Sequence, residues 1–325
     1  MVAMRLIDGV RSASAWLRRH RYVAIALQVL AALAVIAILT WAVRGSWAGA
    51  GERLRDADLV DFVIGCAVLG AYYLLFVVGW MRILAAWGIH LPYGAALRAE
   101  MVSMLAKYIP GGVWTPAARV LAVRRAGVNA TALVTASIFV EAGLSAVAGV
   151  LVFVVSLAWV HGVDAPLLPL LAFAAVVALL LHPRIFGWLA AKIFRRFGYE
   201  APPRLPPQTL LFLLGYYAFT WLVGGAALLF LVRSVGGGVS ASSIAFLGGT
   251  AAVGAIVAVL SIVAPSGLGP REASMYGLLL AVTPQGAALG ATILNRVAIT
   301  LVEAALLAAG AVLLRARSRS TAPGT

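Results

Sequence analysis

The sequence predicts an all-α polytopic membrane protein, with about eight membrane segments in two pseudo-symmetric halves and with re-entrant or broken helices. Three observations carry that reading. Residues of the hydrophobic class make up 63% of the chain and charged residues only 11%, against roughly 25% charge in soluble domains. Apolar runs long enough to cross about 30 Å of hydrocarbon recur along the chain, beginning with the uncharged stretch 22–43. Two later runs are interrupted, at Pro110-Gly111-Gly112 and at Pro265-Ser266-Gly267-Leu268-Gly269-Pro270. Helix breakers at membrane depth are tolerated only where protein encloses them or where they line a cavity. The two breaks are therefore the candidate working parts.

Taken in order, residues 1–21 form a basic arm with Arg5, Arg11, Arg18, Arg19 and Arg21, which the positive-inside rule places in the cytoplasm. A signal peptide is the rival reading, but the apolar run is too long and lacks a small-residue cleavage site. The first membrane half covers 22–182. Its span from 61 to about 80 returns inward, with Tyr72, Tyr73, Trp80 and Trp87 suited to interfacial anchoring or to bundle packing. The helix expected over 92–109 carries Arg98, Glu100 and Lys107, too much charge to face lipid. It reads as re-entrant or protein-enclosed, the alternative being a helix lying in the interface. Glu100 and Lys107 share a face about 10 Å apart along the axis. Arg119, Arg124 and Arg125 mark the inner side again, a long tilted span over 130–160 carries Glu141, and 167–181 returns inward.

Residues 183–207 read as a cytoplasmic linker, basic and partly amphipathic at first and then Pro-rich, that touches anionic headgroups. The second membrane half covers 208–315. Its first span is 208–232, and after Gly236-Gly237-Gly238 comes a small-residue run to 263 whose Gly248, Gly249 and Gly254 favour close helix packing. Beyond the second break, 273–282 is either a half-helix or, with Pro270 in its first turn, a short span. The last span is 286–314, and Arg315, Arg317 and Arg319 hold the 316–325 tail in the cytoplasm. Both halves carry a double tyrosine (Tyr72-Tyr73, Tyr216-Tyr217), a later Pro/Gly break and then a span with a buried glutamate (Glu141, Glu303). The expected topology makes this an inverted repeat, a common plan among secondary transporters.

The membrane-depth charges are the chemistry-bearing residues. Glu141, Arg296 and Glu303 lie in apolar helices, where an isolated charge costs on the order of 3 kcal/mol or more. They form either a structural ion-pair network or a polar cavity for a charged headgroup. Arg296 and Glu303 share a face but are too far apart for an i,i+4 pair, so each is expected to meet a partner elsewhere or a solvated cavity. Lys107 and Arg119 flank the first break and could hold a phosphate; snorkelling to the interface is the plainer alternative. Glu272 either offsets a helix N-terminus, or fixes the broken loop and meets a cationic headgroup. Gly111, Gly112, Gly267 and Gly269 let backbone turn and approach a ligand closely. With Pro110 and Pro265 they complete the candidate site.

Several function classes are excluded. The net charge is +14, yet the basic residues gather beside apolar segments, so no nucleic-acid partner is expected. The single cysteine, Cys66, forms no internal disulfide and belongs to no metal or redox motif. No nucleophile elbow, phosphate-binding loop or dinucleotide fingerprint is present, so no catalytic residue, metal or cofactor is expected.

Pro265-Ser266-Gly267-Leu268-Gly269-Pro270-Arg271-Glu272, followed after a short apolar helix by Asn295-Arg296, resembles the signature of the lysylphosphatidylglycerol synthase transmembrane region family, flippase-like integral membrane proteins. Tyr108-Ile109-Pro110-Gly111-Gly112, with Arg119 after it, resembles that family's first-half motif, and the likeness covers about 61–314. The resemblance implies a two-half bundle whose re-entrant segments line headgroup cavities, and a role in moving aminoacylated phosphatidylglycerol between leaflets. In the family a separate soluble domain makes that lipid; none precedes Thr325, so synthesis is not assumed here. The Trp114-Thr115-Pro116 segment departs from the family's pattern and leaves the substrate open.

The expectation is a flippase or lipid-linked substrate transporter in the plasma (inner) membrane, moving an anionic or aminoacylated headgroup. Its partners are membrane lipids, probed best as anionic phospholipid or lipid-linked substrate. Arg119 and Arg296 would meet phosphate, and Glu141, Glu272 and Glu303 would balance charge or meet an amine. The alternatives are a scaffold or accessory protein for envelope-lipid assembly, and a membrane-embedded lipid transferase.

Overall fold

The computed structural model describes residues 47–107, 114–160, 167–196, 202–261 and 265–320. The basic arm, the expected span 22–43 and the first break at Pro110, Gly111 and Gly112 lie outside the described residues. Among these residues the chain is built from helices joined by short turns, with no strand.

The first helices are α1 (Trp47–Arg55), α2 (Leu59–Ala86), α3 (Tyr93–Ala106) and α4 (Trp114–Arg125). Asp58 starts α2 as its N-cap, its carboxylate accepting the Val60 and Asp61 amides at 2.7 and 3.2 Å, while Asp61 complements the first-turn dipole. The helix runs past residue 80, where the span was expected to end. Arg82 is exposed while Ile83 and Leu84 are fully buried, so the charge falls on the outer face and the core face continues. Pro92 precedes α3, whose buried face is mostly small: Ala96, Ala99, Ser103 and Ala106, with Glu100 among them. That face packs on α2, on α4 and on the last helix, while Arg98, Val102 and Leu105 on the opposite face stay exposed.

Next come α5 (Thr131–Ser156), α6 (Leu167–Leu181) and α7 (Pro183–Arg196). The first part of the expected linker is thus the helix α7, amphipathic, with exposed Trp188 under the Lys192 ammonium at 5.1 Å. The remainder are α8 (Pro207–Ser234), α9 (Ile244–Leu260), α10 (Pro270–Leu279) and α11 (Gln285–Ser320). Five helices are long and apolar enough to cross a membrane: α2, α5, α8, α9 with the 3₁₀ turn before it, and α11 as far as Gly310. Their outward faces carry Val63, Phe139, Leu211, Phe219 and Val259, each more than half exposed or close to it. Lipid tolerates such a surface and water does not.

The core is the contact of α2 with α8, extended by α5, α9 and α11. The pair runs antiparallel: the Asp58 amide donates to the Ser234 carbonyl at 2.7 Å, and the Tyr216 hydroxyl donates to the Leu75 carbonyl at 2.7 Å. Helices α8 and α9 approach through glycine, since a Cβ on Gly225 would lie 2.6 Å from the Gly248 nitrogen. Backbone cannot yield as a side-chain tip can, so Gly225→Val will destabilise by about 3 kcal/mol, the upper end for overpacking. A lowered melting temperature of the detergent-purified protein checks this.

After α9 the second break is a 3₁₀ turn, Pro265–Gly267. Ser266 has φ 55°, Gly267 φ 65° and Gly269 φ 98°. These left-handed conformations are routine for glycine and strained for most residues. Pro270 then occupies the first helical turn, where its missing N–H costs nothing. Ten residues later the helix ends, at about 15 Å long, too short to span. Helix α11 runs farther than the expected span 286–314, its last turns carrying Arg315, Arg317 and Arg319.

Candidate functional site

The charges set in apolar helices collect into two clusters. The first is closed. Arg119 of α4 lies between Glu100 of α3 and Glu141 of α5, and all three are buried. The Arg119 Nη1 donates to Glu141 Oε2, its Nη2 donates to Oε1 at 3.4 Å, and Nη2 also forms an ion pair with Glu100 Oε2. Its guanidinium lies 3.8 Å from the centroid of the Trp80 ring, a stacking geometry that arginine favours over lysine. Trp80 is fixed in turn by its Nε1 donating to Ser137 Oγ at 2.8 Å. From α8 the fully buried Tyr217 comes within electrostatic reach of Glu141. One cation thus faces two carboxylates.

The second cluster surrounds the second break and is partly open. Glu303 of α11 is buried, and its Oε1 accepts from Lys107 Nζ at the C-cap of α3 and from the Tyr73 hydroxyl of α2 at 2.8 Å. Glu272 of α10 reaches back with Oε2 to the Gly269 amide at 2.7 Å, satisfying an otherwise orphan donor. Its Oε1 accepts from Arg296 Nη1 at 3.3 Å, and Arg296 also donates to the Ser266 carbonyl at 3.4 Å. The break is thereby clamped to α11. Arg271 is half-buried and acts electrostatically on Lys107, Tyr72 and Tyr73, and its guanidinium makes no hydrogen bond or ion pair among the described residues. The Lys107 and Arg296 side chains are 22% and 20% exposed and that of Glu272 is 25% exposed, whereas Arg119 and Glu141 show 5% and 4%. Three cations face two carboxylates here, the reverse of the balance in the closed cluster.

Of the sequence-predicted residues, Lys107, Glu272, Arg296, Glu303, Gly267 and Gly269 come together around the second break. Arg119 and Glu141 form the separate closed cluster. Arg296 and Glu303 do not pair with each other, as their spacing implied; each takes a partner from another helix. Glu100, Arg271, Tyr73, Tyr217 and Trp80 were not among the candidates. Glu100 and Arg271 stand in segments already singled out, and the tyrosines were read as repeat landmarks, Tyr73 also as an anchoring or packing residue. Trp80, suited in sequence to an interfacial anchor, is fully buried beneath a guanidinium.

The two clusters are mechanically joined. Helix α3 carries Glu100 in one and Lys107 in the other, about 10 Å apart along its axis. On α2, Tyr73 binds Glu303, while its neighbour Tyr72 feels both Arg271 and Glu141.

Comparison with known proteins gives one family. No curated protein matches the chain. Residues 28–307 match the family described as Lysylphosphatidylglycerol synthase TM region, in agreement with the motifs at both breaks. That family is one of membrane proteins linked to the handling of lipid, and the chain belongs to it.

Proposed function

We propose that this protein moves lipids with an anionic or aminoacylated headgroup between leaflets, the phosphate entering the cluster of Lys107, Arg271 and Arg296 while the acyl chains stay in lipid. The observation that carries this reading is Arg271: a half-buried guanidinium beside two further cations, with no anionic partner among the described residues. Arginine is well suited to bidentate contact with a phosphate. The positive end of α10 adds to the same potential, and in this reading Glu272 and Glu303 would meet an amine on an aminoacylated headgroup. Partial exposure of the cluster supports access from the membrane surface, which the closed Arg119 cluster does not offer.

In this reading the halves 22–182 and 208–315 are an inverted repeat joined by 183–207. The antiparallel α2–α8 contact and the crosswise tyrosines support it: Tyr73 of the first half serves Glu303 of the second, and Tyr217 of the second approaches Glu141 of the first. The basic segments favour the plasma (inner) membrane with both termini cytoplasmic.

Reconstitution tests the function. Tail-fluorescent phosphatidylglycerol, aminoacylated phosphatidylglycerol and a polyprenyl phosphate are each placed in both leaflets of proteoliposomes, and an impermeant quencher is added outside. Transport lets the quencher reach the inner-leaflet pool of at least one of these lipids. Quenching confined to the outer leaflet for all three contradicts the proposal and leaves a scaffold, or a transferase if lipid is chemically converted in detergent.

A further inference from the structure

The closed cluster has no part in that headgroup site, and among the described residues its charge does not balance. Arg119 supplies one positive charge against the two carboxylates Glu100 and Glu141, all held within apolar helices. A buried excess charge is far more costly than one bound proton. The contacts separate the two acids. Glu141 receives both guanidinium nitrogens, Nη1 and Nη2, whereas Glu100 is held through Oε2 by Nη2.

We propose that the Glu100–Arg119–Glu141 cluster is a proton-binding site, with Glu100 as the carboxyl that takes up and releases the proton. The step is simple in its balance: a proton from the aqueous phase joins the Glu100 carboxylate, giving a neutral carboxyl beside a neutral Arg119–Glu141 pair. Its loss leaves two carboxylates sharing one guanidinium. Arg119 from α4 pairs with Glu100 and with Glu141 of α5, Tyr72 from α2 and Tyr217 from α8 lie within electrostatic reach of Glu141, and Glu303 of α11 is engaged by Lys107 farther along α3. None of these supplies a second positive charge to the cluster.

The site has a mechanical consequence. Glu100 and Lys107 lie on one rigid helix, so a shift of α3 that relieves repulsion in the deprotonated cluster also pulls on the Lys107–Glu303 contact. The proton would thus gate the headgroup site. This coupling rests on the lipid-transport reading; proton binding does not.

Infrared difference spectra of the purified protein across a pH titration test the site. The wild type is expected to show the carbonyl band of a protonated carboxyl that disappears as pH rises. Charge counting predicts that Glu100→Gln and Glu141→Gln each abolish the band, because either leaves one carboxylate to pair with Arg119. Exposed Glu52→Gln keeps it. A wild type without such a band, or a band surviving in both cluster variants, overturns the proposal; the wild-type spectrum decides even if a variant fails to fold. A pH gradient across proteoliposomes holding tail-fluorescent phosphatidylglycerol tests the coupling. Wild-type movement that responds to the gradient, and Glu100→Gln movement that does not, support it. Wild-type movement indifferent to the gradient overturns the coupling and leaves lipid transport standing. A band lost on schedule in a protein that moves no lipid supports the proton site and defeats the transport reading.

Discussion

Arg119→Met will destabilise the folded protein by about 3–5 kcal/mol, the cost of removing one partner from a buried ion pair. Glu100 and Glu141 would then face each other with their side chains 7% and 4% exposed and no cation between them. The methionine keeps much of the arginine stem, so packing against Trp80 is largely preserved and the loss is electrostatic. Two further outcomes follow from that cause. Combining the change with Glu100→Gln and Glu141→Gln should restore most of the stability, since neutral residues of similar volume can replace a buried ionic cluster. The single variant should also be least impaired in acid, where both carboxyls are neutral, and worsen as pH rises. Melting temperatures of the detergent-purified variants at several pH values check all three. A single variant as stable as the wild type would mean that the cluster is hydrated rather than closed.

Much of the fold was legible because membrane helices must satisfy their own backbone. Long apolar runs could hardly become anything else, and the spans at α5, α8, α9 and α11 lie close to where the sequence puts them. Boundaries were less legible where one charge faces outward. Arg82 reads as the end of a span in sequence, yet the buried Ile83 and Leu84 carry α2 to Ala86. The choice left open at Pro270 was resolved by geometry, because a left-handed Gly269 allows the proline to begin α10.

The site was legible in its residue types but not in its pairing. Sequence spacing says which charges share a helix face, and no more. That Lys107 meets Glu303 and that Arg119 meets both Glu100 and Glu141 depends on α3 packing simultaneously on α2, α4 and α11. Arg271 was quoted within its motif and passed over because Glu272 beside it offered a simpler role as a helix-start carboxylate. The structure gives Glu272 that role and a second one, since the same carboxylate holds Arg296.

Those two roles separate experimentally. Glu272→Ala removes both the acceptor for the Gly269 amide and the partner of Arg296. Leaving a part-buried donor unsatisfied and removing one partner of Arg296 costs about 1–3 kcal/mol, and it loosens the turn at Ser266 that Arg296 also clamps. Lipid movement should fall roughly tenfold to a hundredfold if that energy holds the break in its working shape. Glu272→Gln keeps a carbonyl for the Gly269 amide and loses the charge. It should therefore retain most of the melting temperature while still slowing transport. Rates of lipid movement and melting temperatures measured on both variants check this. If both variants transport at the wild-type rate, the carboxylate only starts a helix.

If a cationic hollow at the second break receives the lipid phosphate, Arg271→Gln weakens its hold on that group. The variant removes a charge that makes no hydrogen bond or ion pair among the described residues, so folding should be untouched. The account predicts that tail-fluorescent phosphatidylglycerol crosses proteoliposome membranes at least about tenfold more slowly than with the wild type, as loss of one charge-assisted contact to phosphate requires. Crossing at the wild-type rate, in a variant with the wild-type melting temperature, would contradict it.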